Sequence, residues 1–168
     1  VFTETPDAPY YLAVQGAEGS SLTVKGFQHT ILTPPSPFNF SMAGQTNSNN
    51  FRFVTYKVTV PASGLGWQVK MTPALGDLAD VSVRYGKVAT RTDNDAYSEY
   101  AERANIDVLP VEEYPAPIID NVVVVPPDLT DGVSYITVYS TIDNSFTFSL
   151  QSGDPEVTPV SFINDPNA

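Results

Sequence analysis

Short clusters of acidic residues are the part of this sequence whose side-chain types and spacing are best suited to chemistry. Three carboxylates and an amide fall within seven positions, at Asp93, Asn94, Asp95 and Glu99. Asp77 and Asp80 form a second, smaller group. Calcium takes about six to eight oxygen ligands of this kind, so these residues predict calcium as a cofactor. The alternative stays open, because loops rich in Asp and Asn are also ordinary turn chemistry.

The residue types of this chain give little support to a catalytic site. The chain has no cysteine and a single histidine, His29, which excludes disulfides, thiolate catalysis, iron–sulfur clusters and zinc centres built from cysteine or several histidines. His29 lies in the segment GFQHT, without a nucleophile-elbow motif. Nothing singles out one pair among the 19 acids for glycoside hydrolysis. We therefore predict that the chain has no catalytic residues and that the protein is not an enzyme.

A few other residues are candidates for surface contacts. Asn39 opens the glycosylation sequon NFS, which acts only in a secreted protein of a glycosylating source. Three tyrosines of an irregular stretch are the candidate ligand-binding residues, because an exposed aromatic ring offers both an apolar face and a hydroxyl: Tyr97, Tyr100 and Tyr114. Trp67 is in phase with apolar neighbours and is expected in the core.

The charge of the chain is divided unevenly. The 168 residues have a formal net charge of −11. All eight bases and nine of the acids fall in residues 1–103, whereas residues 104–168 hold ten acids and no base. Nucleic acid needs bases to displace its counterions, so it is not expected as a partner. Membrane insertion is not expected either, because no apolar run approaches the roughly 18–20 residues of a span.

Apolar residues alternate with polar ones along most of the chain. In residues 67–72, Trp67, Val69 and Met71 share one face, and the side chains between them are polar. Such alternation is typical of half-buried strands, and prolines and glycines separate the segments. Strands are predicted at residues 10–15, 21–25, 52–60, 67–72, 81–85, 105–109, 118–125, 133–140 and 145–150. We therefore predict an all-β fold, an antiparallel β-sandwich of jelly-roll type.

Two segments carry more specific expectations. Residues 122–125 are apolar on both faces, which predicts a central strand. Residues 94–104 place alanines and tyrosines three or four apart, which predicts a short helical turn inside a long connection.

Several stretches resemble the bacterial pre-peptidase C-terminal domain, a β-sandwich appended to secreted peptidases and repeated in surface proteins. Residues 56–65 (YKVTVPASGL) resemble its strand followed by a proline and glycine turn, and residues 76–86 (GDLADVSVRYG) resemble its Gly-Asp and Tyr-Gly segment with one extra residue. Residues 131–139 and 145–150 resemble its last two strands. The likeness covers about residues 50–152; the connection 87–117 is longer than in the family.

The resemblance implies a non-catalytic domain that is extracellular or on the cell surface, and that assists secretion, stabilises a neighbour, binds polymer or holds calcium. We divide the chain into an N-terminal strand-forming extension (residues 1–45), the sandwich (46–152) and an acidic tail or linker (153–168). Two functions stay open. One is a structural or adhesive module whose partners are other copies or neighbouring modules, joined in a fibre or array through strand-like residues 5–25. The other is an accessory domain, stabilised by calcium, that binds an extracellular polymer.

Overall fold

The computed structural model describes residues 15–21, 23, 30–48, 51–61, 65–75, 77, 79–90, 92–98, 119–140 and 145–156. These residues form nine β-strands and contain no helix. The strands are β1 (Ile31–Leu32), β2 (Phe40–Asn47), β3 (Phe53–Val60), β4 (Trp67–Pro73), β5 (Asp80–Tyr85), β6 (Ala96–Ser98), β7 (Asp120–Val124), β8 (Gly132–Tyr139) and β9 (Phe146–Gly153).

Two sheets share the strands. The five-stranded sheet has the order β1-β3-β8-β5-β6, and the four-stranded sheet has the order β2-β9-β4-β7. From β2 to β9, consecutive strands change sheet at every step except between β5 and β6, which is the jelly-roll arrangement. All pairings are antiparallel apart from the short one between β1 and β3. The predicted fold class is therefore confirmed.

The core lies between the sheets, where alternate residues of each strand point inward. Phe146, Phe148 and Leu150 of β9 are at most 2% exposed, and Trp67 of β4 is 3% exposed. The indole N–H of Trp67 donates to the buried Ser152 hydroxyl at 3.0 Å, so its polar atom is satisfied within the core. The expected core position of Trp67 is confirmed, and the two-residue period determines which face of each strand is buried.

Six predicted strands are found with bounds within a few residues of the prediction: β3, β4, β5, β7, β8 and β9. Three strands were not predicted: β1, β2 and β6. β1 has only two residues, and β2 reads Phe-Ser-Met-Ala-Gly-Gln-Thr-Asn, with few apolar residues to alternate. The register of β2 against β9 also shifts between Met42 and Gln45, where Gly44 has a φ of 59°. This bulge interrupts the period that a sequence pattern would need.

Two expectations were wrong. In the described part of the predicted helical segment, Ala96–Ser98 is a strand on the edge of β5 rather than a helical turn, because backbone pairing with β5 outweighs the weak tendency of so short a segment to form a helix. Residues 99–104 of that segment lie outside the described residues. β7 lies at the end of its sheet rather than in the middle. Val123 and Val125 point outward there and are 42% and 48% exposed, so the apolar run reflects an exposed apolar face and not burial on both sides.

β2 spans residue 45 and pairs with β9, so the strands of the sandwich continue across the predicted limit between extension and sandwich. The division into three parts stays a prediction. The predicted strands 10–15, 21–25 and 105–109 fall wholly or mostly outside the described residues. Within the described part, no helix has the length and apolar character needed to cross a membrane.

Candidate functional site

The outer face of the four-stranded sheet carries an open cleft of about 490 Å³. Because Trp67, Val69 and Met71 point into the core, the residues between them point outward and form part of its floor. Polar side chains from three strands, from the residue before β2 and from the segment after β9 line most of the cleft: Asn39, Ser41, Gln68, Lys70, Gln151, Asp154 and Glu156. The cleft is therefore a polar surface on a rigid sheet, of the kind that can orient a ligand by hydrogen bonds.

One row of outward-facing residues crosses the whole sheet, and three of its four members line the cleft. Ser41 of β2 is paired with Gln151 of β9, Gln151 with Lys70 of β4, and Lys70 with Asn121 of β7. With strands about 4.8 Å apart, the four side chains span roughly 14 Å. The next row contains Gly153 opposite Gln68, and the side chain of Asn39 lies over Gly153, which is buried beneath it. This arrangement gives an extended ligand several contact points along the floor.

A wall on one side of the cleft is formed by residues 153–156, and the protein holds it at three points. The backbone N–H of Glu156 donates to Gln68 Oε1 at 2.9 Å, and the Glu156 carboxylate lies 2.6 Å from the Lys70 ammonium. Pro155 packs so closely on Gly66 that a methyl group at position 66 would lie 2.7 Å from its ring. The wall is thus fixed before any ligand arrives.

Gln68 orients this wall from beneath. Its Nε2 donates to Asn121 Oδ1 at 2.9 Å while its Oε1 accepts from Glu156, and the residue is 8% exposed. Both ends of the carboxamide are therefore engaged by the protein. Gln68 is a positioning residue, whereas Gln151 and Asn39 are exposed and turned toward the cleft.

The predicted calcium ligands that the structure describes have partners within the protein. Asp77 Oδ2 accepts from the Thr147 N–H at 2.7 Å, and Asp95 Oδ2 accepts from the Tyr85 N–H at 2.6 Å. Asp93 forms an ion pair with Arg84. In the described ranges, no group of three or more His, Asp or Glu side chains is suited to a metal ion.

The two predicted calcium groups are also well separated. Asp80 begins β5 and is buried, whereas Asp95 contacts Tyr85 at the other end of the same strand. Five residues of extended chain place these ends about 16 Å apart, so the two groups do not form one site. Glu99 lies outside the described residues, and calcium binding stays a prediction.

Removing the Asp77 side chain is expected to lower the free energy of unfolding by a measurable amount. Asp77→Ala leaves the Thr147 N–H at the start of β9 without its acceptor, which is expected to lower the free energy of unfolding by about 1–3 kcal/mol. Asp77→Asn is expected to cost less, because a carboxamide oxygen accepts the same bond without the charge. Urea denaturation in calcium and in a chelator checks both values. A loss seen only with calcium would contradict this structural role and favour a metal ligand.

The other predicted contact residues are spread over the molecule. Asn39 is exposed, immediately precedes β2 and lies at the rim of the cleft; its glycosylation stays a prediction. Tyr97 lies on the edge strand β6, in the other sheet, and is 46% exposed. Tyr100 and Tyr114 lie outside the described residues. Of the described residues that the sequence singled out as site candidates, only Asn39 belongs to the cleft.

Most of the residues that line the cleft were not predicted from the sequence. Their signal was present in part, because Gln68 and Lys70 alternate with core residues of β4 and so had to point outward. Nothing in the sequence showed that Gln151, 81 positions after Lys70, is its cross-strand neighbour.

Among solved structures, the chain matches the crystal structure of the pre-peptidase C-terminal domain of a collagenase from Bacillus anthracis. The TM-score is 0.48 and the identity 14%, over 75% of this chain and 99% of that one. The chain is similar to a pre-peptidase C-terminal domain. This is the same family that the sequence motifs resemble. No protein-family model and no curated protein sequence matches the chain.

Proposed function

We propose that this chain is a non-catalytic binding module of a secreted or cell-surface protein, and that it holds an extracellular polymer in the polar cleft. The observation that carries the proposal is the cleft itself, with its cross-strand row of polar side chains and its fixed wall. Of the two functions that the sequence left open, the cleft favours the accessory, polymer-binding one. The Glu156 carboxylate is paired with Lys70 and helps to hold the wall, which suits binding better than turnover.

Retention on insoluble polymers tests this function. The protein is mixed with neutral polysaccharides, acidic polysaccharides and fibrous protein, and the bound fraction is measured against a variant carrying Lys70→Ala and Gln151→Ala. We expect the original chain to be retained on at least one polymer and the variant to be released. Lys57→Ala, at an exposed lysine of the other sheet, is the matched control and should be retained fully. Equal retention of both chains, or no retention on any polymer, would contradict the proposal.

A second candidate function is assembly with other copies through β7. Ile119, Val123 and Val125 are 54%, 42% and 48% exposed and, two or four residues apart, lie on one face of this strand. β7 is the last strand in the order of its sheet. An exposed apolar face of this kind can be covered by a neighbouring chain, as a fibre or tandem array would require.

Sedimentation over a wide range of protein concentration distinguishes this second function. Assembly through β7 predicts larger species at high concentration, and Val123→Lys should abolish them because a charged side chain is costly to bury between two chains. A monomer at every concentration would rule out this candidate and leave polymer binding unaffected.

A further inference from the structure

The floor of the cleft can recognise a ligand only through side chains. It is the face of a sheet, and the backbone groups of β9 are paired with β2 on one side and with β4 on the other. A peptide recognised through its main chain would need a free strand edge rather than a sheet face. The groups offered here are carboxamides, a hydroxyl, an ammonium and carboxylates. A ligand that matches them needs many groups able to both donate and accept hydrogen bonds.

The charges at the cleft disfavour an anionic ligand. Lys70 is the one base among its lining residues, and Glu156 already neutralises it at 2.6 Å, while Asp154 adds a further negative charge. The local net charge is therefore −1, on a chain whose net charge is −11. An acidic polymer would have to displace Glu156 from Lys70 against this field. A neutral ligand meets no such barrier.

The Lys70–Glu156 pair itself suits neighbouring hydroxyl groups. An ammonium only donates and a carboxylate only accepts, whereas a hydroxyl does both. Two adjacent hydroxyls can therefore contact both members of the pair without breaking it. The carboxylate of Glu156 is the more accessible member, with 75% of its side chain exposed against 22% for Lys70.

These contacts are also arranged in advance. Gln68 fixes the backbone of Glu156, and Pro155 rests on Gly66, so the wall does not have to be ordered when a ligand binds. Preorganised groups lose less conformational entropy on binding, which matters for a cleft that relies on hydrogen bonds. The exposed carboxamides of Asn39 and Gln151 are further groups in the cleft that can form hydrogen bonds with a ligand.

From these observations we infer that the cleft binds a neutral polysaccharide, whose hydroxyl groups contact the Lys70–Glu156 pair and the carboxamides of Gln151 and Asn39. The inference rests on the proposed function and adds the chemical class of the polymer. It goes beyond the tyrosines suggested by the sequence, since the ligand here is held by hydrogen bonds rather than by aromatic stacking.

Binding of cellulose, xylan and starch, compared with that of alginate and gelatin, tests the inference. We expect retention on at least one of the three neutral polysaccharides, and little change when salt is added, because the contacts are not between net charges. Gln151→Ala should weaken that binding about 3–10-fold, as expected for one or two hydrogen bonds. Lys57→Ala should leave it unchanged, and circular dichroism with urea denaturation shows that each variant is folded.

Glu156→Gln gives the sharpest comparison. A carboxamide still accepts from a hydroxyl, so affinity for the neutral polysaccharide should change by less than about threefold. For an acidic polymer, the same substitution would free Lys70 and remove a repelling charge, and binding would strengthen. Retention on alginate that rises in this variant, or retention on gelatin alone, would overturn the inference while leaving a polymer-binding module in place. Retention on no polymer would overturn both.

Discussion

Phe148→Ala is expected to lower the free energy of unfolding by about 3–5 kcal/mol, because it leaves a cavity in the middle of the core. Phe148 is 1% exposed and lies on β9, between β2 and β4. Its ring packs edge-on against Tyr56, with centroids 6.4 Å apart, and lies at a tilt of 35° to the ring of Phe146, with centroids 5.7 Å apart. Natural domains are stable by roughly 5–15 kcal/mol, so this one substitution removes a large share of the total.

Urea denaturation measures this loss, and two variants of the same strand serve as comparisons. Phe148→Leu keeps most of the volume and should lose about 1–1.5 kcal/mol. Gln151→Ala, whose side chain points outward, should change stability by less than about 0.5 kcal/mol. A loss below 1 kcal/mol for Phe148→Ala would show that the sheets do not pack on this ring as described.

Alkaline pH is expected to destabilise the protein through Tyr56. This residue is 4% exposed, and burial raises its pKa from 10.0 to about 12 because it disfavours the charged phenolate. Between these two values the unfolded chain loses the proton while the folded chain keeps it. The stability that Tyr56 contributes is therefore intact below pH 10 and is lost as the pH rises toward 12. At 1.36 kcal/mol for each pKa unit, the loss is about 2–3 kcal/mol.

Comparison with Tyr56→Phe isolates this effect from the titration of other groups. Phenylalanine fills nearly the same space and does not ionise, so the difference in unfolding free energy between the two chains should fall by about 2–3 kcal/mol from pH 9 to pH 12. Urea denaturation at intervals across this range gives the difference directly. Parallel curves for the two chains would contradict the assigned environment of Tyr56.

The alternation of residue types predicted the strands well wherever one side of a strand faces the core. β4 shows why: Trp67, Val69 and Met71 are all buried in the core, whereas Lys70 and Thr72, in the opposite phase, are half-buried and point outward. β2 was not predicted because the bulge at Gly44 shifts its two-residue period. Its backbone pairing with the neighbouring strand β9 is what makes it a strand. β6 was not predicted because its backbone hydrogen bonds to β5 make it a strand, and those bonds join parts of the chain that are separated in the sequence.

The alternation of apolar and polar residues could not predict where a strand lies within its sheet. Residues 122–125 are apolar throughout, which is the composition of a central strand, yet the sandwich places β7 at an edge. A sequence records that both faces are apolar but not whether a second layer covers them. For Val123 and Val125, the described structure leaves that outer face largely open to solvent.

By itself, the sequence determined that the chain is an all-β sandwich, that Trp67 and its in-phase neighbours form the core, and that bases are absent from its last third. These follow from the two-residue period of a strand and from residue counts, both of which are local properties. Only the tertiary structure decided that Ser41, Gln151 and Lys70 are neighbours and that Glu156 closes one side of a cleft. That site depends on the register of strands more than 80 residues apart, and register is set by packing the whole sandwich together.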